Sequence, residues 1–197
     1  TKENYSKKVS IYNTIRSRVG RGWPTGALEY FNQNKSIFSD YEKSFLLSKI
    51  SNGYYLANLD NKAIKTLDNE SFIKAPYSEG LWIKGLAHYR KNEFEKSSKS
   101  FLILSKIANN YWLESAGAYW SFISSSKMQG KKDIMKASIE ALEKTCQKPY
   151  NLYSLLSCFV INKPIDITLG KKFNELNKNY DQFSQTKLGQ RIDALLE

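Results

Sequence analysis

The sequence holds a single histidine, His88, and two cysteines, Cys146 and Cys158. Any Ser–His–Asp or Cys–His constellation would therefore have to be built on one ring. Two cysteines twelve residues apart with no histidine beside them do not have zinc-ligand spacing. His88 stands where the helical pattern wants a packing aromatic, next to Tyr89, and is read as a core or groove-lining side chain. Both cysteines lie in apolar-periodic stretches, which reads as buried free thiols; a disulfide is the alternative, open only to an oxidising compartment.

Arginine is also scarce. Of 30 basic residues five are arginine, at 16, 18, 21, 90 and 191. Bidentate phosphate recognition favours that side chain, so the net charge of +11, spread over lysines, is read as solvated surface and no nucleic acid is expected. An anionic glycan remains compatible with it. No apolar run approaches the roughly 20 residues that span a bilayer, and TKENYSKKVS lacks the apolar segment of a signal peptide. A first residue of Thr fits a trimmed chain or a mature form whose leader has gone.

Phosphate-cradling loops are missing as well. The stretch GRGWPTGALEYF at residues 20 to 31 has three glycines, but a dinucleotide loop needs G-x-G-x-x-G after a strand, and a P-loop ends in G-K-[ST]. No cofactor is expected. Here Gly20 and Gly22 follow a helical stripe of Tyr5, Val9, Tyr12, Ile15 and Val19 and end it, glycine entering the left-handed region. Pro24 then suits the first turn of a second helix. The stretch is a helix–turn–helix corner.

What the sequence does have is helical signal throughout. Ser39 and Glu42 have capping-box spacing, and Phe45, Leu46, Ile50 and Tyr54 follow on one face. Further helix starts are expected near Asp60, Ser78, Asn92, Asn110, Lys131 and Pro149. Leu169, Phe173 and Leu176 mark another helix, and Leu188, Ile192 and Leu195 a last one. No stretch alternates with the period of a strand, so the class is all-α.

The helices repeat. Gly85–Leu86–Ala87–His88–Tyr89, then Asn92–Glu93–Phe94, Ser97 and Phe101 follow the small, aromatic, polar-turn pattern of tetratricopeptide hairpins. Tyr119 lies 34 positions after Gly85, and Gly53, Tyr54, Tyr55, Asp60 and Ala63 offer an earlier copy. Each pair cannot bury its own apolar side, so neighbours must stack. The expected architecture is a right-handed α-solenoid of antiparallel helix pairs over residues 1–160, with a helical tail at 161–197.

RGWPTGALEYF, GYYLANLDNKAI, LWIKGLAHYRKNEFEKSSKSF, ESAGAYW and KPYNLYSLL resemble, in order, the N-terminal superhelical region of bacterial soluble lytic transglycosylases, particularly the alphaproteobacterial kind. The resemblance spans residues 10 to 160 and, more weakly, the tail. Its more specific parts are the Trp23–Pro24–Thr25–Gly26 corner and Pro149–Tyr150–Asn151–Leu152, where Asn151 replaces the family's glycine; asparagine is expected to serve because it too enters the left-handed region. The resemblance implies a periplasmic location. It also implies a parent enzyme that cleaves the bond between N-acetylmuramic acid and N-acetylglucosamine, leaving a 1,6-anhydro end. The acid–base glutamate of that family sits in a separate lysozyme-like domain, within Glu-Ser, Gly-Leu-Met-Gln and Asn-Ala-Gly motifs.

Glu114–Ser115 and Met128–Gln129 match fragments of those motifs, but Ala-Gly-Ala-Tyr follows the first and Ser-Lys precedes the second. Glu114 is therefore expected to be structural, and the chain noncatalytic by itself. Its partner is expected to be peptidoglycan strands or, for a free-standing scaffold, a protein held on the concave face of a monomer. Arg16, Arg18 and Arg21 form the best basic contact corner. Trp82 and Trp112, beside the inward stripes, are with His88 the groove-lining candidates, although tryptophans at helical spacing, Trp23 and Trp120 included, are more often core.

Overall fold

The computed structural model describes residues 2–128 and 131–162, which lie within one compact unit, Thr1–Lys163. Nearly all of the expected tail, with its two marked helices, and Gln129 lie outside the described residues. The described chain is all-helical, with no strand. It comprises α1 (Lys2–Gly20), α2 (Pro24–Asn34), α3 (Asp40–Leu56), α4 (Asp60–Leu67), α5 (Glu70–Lys74), α6 (Ser78–Arg90), α7 (Phe94–Ile107), α8 (Tyr111–Ser125), α9 (Lys132–Cys146) and α10 (Leu152–Val160). A 3-10 turn follows α2 at Lys35–Ile37.

Three helix pairs, α1–α2, α3–α4 and α6–α7, are joined by one recurrent turn. Gly22 has φ +73°, Asn58 +59° and Asn92 +60°. In each turn that residue donates its N–H to the carbonyl three back, and the next residue donates to the carbonyl five back: Gly22 to Val19 and Trp23 to Arg18, Asn58 to Tyr55 and Leu59 to Tyr54, Asn92 to Tyr89 and Glu93 to His88. These are Schellman closures, in which a left-handed residue lets the chain satisfy the last orphan carbonyls of a helix. The residue after it, Trp23, Leu59 or Glu93, then caps α2, α4 or α7. Asn92 was expected to open α7; it closes α6 instead, and Glu93 takes the cap.

The first helices of the pairs open differently, from extended caps. Ser39 and Glu42 form the expected capping box. Asn110 accepts from the Leu113 N–H and caps α8. Asn151 makes a second capping box with Ser154 at the start of α10. Its φ of −145° is extended, so the expected left-handed role is corrected: asparagine serves there as a side-chain acceptor for N–H groups.

Substantial contacts link each pair's two helices and then consecutive pairs: α1 to α3, α3 to α6, α6 to α8 and α8 to α10 among the first helices, and α7 to α9 among the second. One core runs through the pairs, with Ile11, Ile15, Phe31, Leu47, Ile50, Leu67, Phe101 and Leu104 almost fully enclosed. The stripe expected on α1 needs correction at its outer end. Tyr5 is 72% and Val9 38% exposed, and Ile11 is buried in their place; Ile11 and Ile15 carry the buried face of α1.

Between α7, α8 and α9 the packing is made by small residues. A Cβ on Gly117 would stand 2.8 Å from the Phe101 carbonyl oxygen and from the Ser105 nitrogen, both backbone. Ser97 Oγ meets Ser124 Oγ at 2.9 Å, and Ser121 Oγ links Ser98 at 3.0 Å to Ser138 at 2.7 Å. These buried hydroxyls also donate to helix carbonyls, as Ser124 does to Trp120 and Ser138 to Ile134, so their polar demand is met.

The cysteines are not free. Cys146, the last residue of α9, and Cys158 on α10 form a disulfide with Cα atoms 4.8 Å apart. That corrects the reading of two buried thiols: the 147–151 turn carries α10 back onto α9, which periodicity alone does not disclose.

Candidate functional site

At the α1–α2 corner the three arginines are placed very differently. The Arg18 guanidinium donates to the Gly26 carbonyl at 2.6 Å and stacks on Trp23 and Tyr30, 5.0 and 4.6 Å from their ring centres. It is a strut between two helices. Arg16 and Arg21 are exposed. Arg18 and Arg21 border a shallow groove of about 680 Å³ floored by Ser6, Ser10, Asn13 and Ser17 of α1, with Trp23 at its end. Trp23 is 54% exposed, so it belongs to this rim rather than to the core.

Trp82 and Trp112 are brought together, 5.7 Å between ring centres. They belong to a chain of rings spread over three first helices. Trp82 of α6 also meets Trp120 of α8 and Tyr153 of α10, each at 6.4 Å; Trp112 meets Tyr153 at 5.4 Å, and Tyr153 meets Tyr119 at 5.7 Å. At the other end Tyr89 of α6 packs on Trp120 at 5.3 Å. Most of these contacts are edge-to-face or tilted, the geometry ring quadrupoles prefer. Trp82 and Trp120 are partly buried against the core, whereas Trp112 is 48% exposed, so the expectation of core is corrected for Trp112. Sequence reasoning missed Tyr119 and Tyr153. The signal for Tyr119 was present, because Trp82 and Tyr89, and Trp112 and Tyr119, are seven apart and so share a helix face.

His88 belongs to a different arrangement, at the junction of α6 and α7. It is buried, and its Nδ1 is 2.8 Å from Glu93 Oε2. Burial pushes its pKa below the ordinary histidine value, with Glu93 opposing. Glu93 is held down to about 2, first by its hydrogen bond from Lys91 and then by His88 and Lys96. The arrangement ties the end of α6 to the start of α7. A groove of about 400 Å³ passes over it, lined by Lys65, Lys84, Lys91, Lys96 and Lys99 together with Asp68 and Glu93. Lys84 is committed to Asp68 at 2.7 Å.

Glu114 pairs with Lys144 at 3.0 Å and faces a cleft shared with Ala137, Glu140, Ala141 and Thr145. Its neighbour Ser115 is enclosed, its hydroxyl 2.8 Å from the Tyr111 carbonyl and 3.0 Å from Asn151 Oδ1. Both therefore join α8 to its neighbours, as a structural pair does. Among the described residues no three His, Cys, Asp or Glu side chains are grouped to hold a metal ion, and no helix is long and apolar enough to cross a membrane. No family model, curated protein or solved structure matches the chain.

Proposed function

We propose that the chain is a noncatalytic superhelical module of a periplasmic lytic transglycosylase. Its helix pairs stack as a right-handed α-solenoid and hold peptidoglycan strands on the face made by the first helices. The observation that carries this is the recurrent pair itself: left-handed Asn58 and Asn92 stand 34 residues apart with the same hydrogen bonds around them, the period of a stacking hairpin repeat. The sequence resemblance supplies the substrate, a glycan of N-acetylmuramic acid and N-acetylglucosamine. The Cys146–Cys158 disulfide supports an oxidising compartment such as the periplasm. On this reading bond cleavage belongs to a separate catalytic domain, and Glu114 is tied to Lys144 across the α8–α9 contact.

The test uses purified chain and isolated sacculi. Co-sedimentation without release of 1,6-anhydro-muropeptides is expected. Failure to co-sediment overturns the glycan-holding role, and release of anhydro products overturns the noncatalytic one. A second reading, a scaffold for a protein partner, is favoured by Leu152 and Phe159 of α10, which are 65% and 77% exposed. On that reading the chain fails to bind sacculi, and Leu152→Ser with Phe159→Ser abolishes capture of the partner while the fold is kept.

A further inference from the structure

Lysines that the sequence scatters over some 35 positions are gathered by the fold at one place. The second helices α7 and α9 pack on each other, but α4 and α7 make no comparable contact, α4 being only 8 residues long. The gap between them is the groove of about 400 Å³ over His88, a size within the roughly 300–1,000 Å³ of small-molecule sites. Lys65 of α4, Lys84 of α6, Lys91 at the end of α6, and Lys96 and Lys99 of α7 all line it.

These ammonium groups have too few partners. Lys84 pairs with Asp68. Lys91 and Lys96 share Glu93, which His88 also contacts. Lys99 shares Glu95 with Lys131, and Lys65 makes no ion pair among the described residues. Six lysines thus divide three carboxylates, which leaves an excess of three positive charges. His88 beneath them adds none at neutral pH, because burial holds its pKa below the ordinary value. The Lys96 and Lys99 side chains are largely exposed, and such pairs contribute little to stability, so both ammonium groups turn toward a ligand at small cost.

The lining discriminates among anions. It holds no arginine, and so no planar fork for a lone carboxylate. It holds no aromatic ring on which a nucleobase could stack. Lysine binds phosphate as a point charge, and linked phosphoryl groups bring several negative charges into a space where a carboxylate brings one. We propose that the groove between α4 and α7 binds a free anion of linked phosphoryl groups, of the di- or triphosphate kind, held by Lys65, Lys84, Lys96 and Lys99. The site lies on the second helices and stands apart from the glycan-holding face assigned to the first.

The probe is inorganic tripolyphosphate, titrated into the whole chain by isothermal calorimetry at neutral pH and low salt. Saturable one-to-one binding is expected, and added salt weakens it by screening. Lys65→Gln and Lys96→Gln each weaken it about threefold, and the double variant about tenfold. A control that removes two exposed lysines elsewhere, Lys7→Gln with Lys148→Gln, leaves affinity within about twofold. Circular dichroism of each variant confirms the fold. Absence of saturable heat, or equal weakening by the control, overturns the site. Tighter binding of oligoglutamate than of tripolyphosphate assigns the groove to an acidic polypeptide and overturns the phosphate. Tighter, Lys65-dependent binding to phosphatidylcholine vesicles containing cardiolipin places the phosphates on a membrane and overturns the free anion. Sacculi take no part in these measurements, so the module reading and this site stand or fall separately.

Discussion

Replacing Cys146 and Cys158 together by serine removes the one covalent tie between α9 and α10. The bridge joins residues separated by 12 positions, closing a loop of about 13 residues. In the chain-entropy account such a closure costs the unfolded chain about 10 cal/mol/K, or about 3 kcal/mol at 25 °C. The bridge acts beside the packing of Tyr153 on Trp82, Trp112 and Tyr119. The α10 helix packs on α8 and α9, its cap is Asn151, and Leu152 and Phe159 lie open to solvent. The loss should therefore appear first as fraying of α10 and its turn, and as a lower urea midpoint for the chain. With a denaturant slope of about 2 kcal/mol/M, a 3 kcal/mol loss moves the midpoint by about 1.5 M. The assay is urea unfolding followed by circular dichroism, in parallel with alkylation and intact-mass measurement of the unreduced protein. Two alkylated thiols without reductant, or a double variant whose midpoint equals that of the parent, refutes the reasoning.

Gly117→Ala is expected to destabilise by about 1–2 kcal/mol: overpacking against the α7 backbone costs about 1–3 kcal/mol, of which better helix propensity returns up to about 1 kcal/mol. Gly20→Ala, where an added Cβ meets nothing within 4 Å, should be stabilising by a few tenths of a kcal/mol to about 1 kcal/mol; thermal melts that order the two variants the other way contradict the packing described. Stability should also fall with acid in two stages. His88 is depressed below 6.5, so the unfolded chain takes its proton first and stability declines as the pH drops past that value. Glu93, held at about 2 against an ordinary 4.5, contributes stability that is complete above 4.5 and lost as the pH falls toward 2. In urea midpoints measured against pH, His88→Asn should remove the first decline and keep the second.

Much of the architecture was legible because it rests on local rules. Ser39 and Glu42 announce a helix start by spacing alone, and Gly22 announces an end because few other residues take a positive φ without strain. The errors cluster where one residue type serves two purposes. Asparagine accepts N–H bonds as a cap and also enters the left-handed region, so Asn92 and Asn151 exchanged roles. Periodicity places a residue on a face of its helix but does not say how far the neighbouring helix extends to cover it; Tyr5 and Val9 outrun their neighbours, and Trp112 is only half covered. The aromatic cluster was glimpsed at Trp82 and Trp112 but not at Tyr153, because its ring partners, Trp82, Trp112 and Tyr119, lie about 34 to 71 positions earlier in the chain. The disulfide was hidden for the same reason on a shorter scale: twelve residues in sequence do not reveal that a turn folds back on itself.

The hydroxyl contacts linking Ser97 to Ser124 and Ser98 through Ser121 to Ser138 have a thermal consequence. Unfolding at these contacts hydrates hydroxyl groups where an apolar seam would expose hydrocarbon, and polar hydration lowers the heat capacity gained on unfolding while apolar hydration raises it. Such a seam should therefore add less to the heat capacity of unfolding than the Ile- and Leu-rich contacts of the first helices do, and so flatten the stability curve that the whole unit shares.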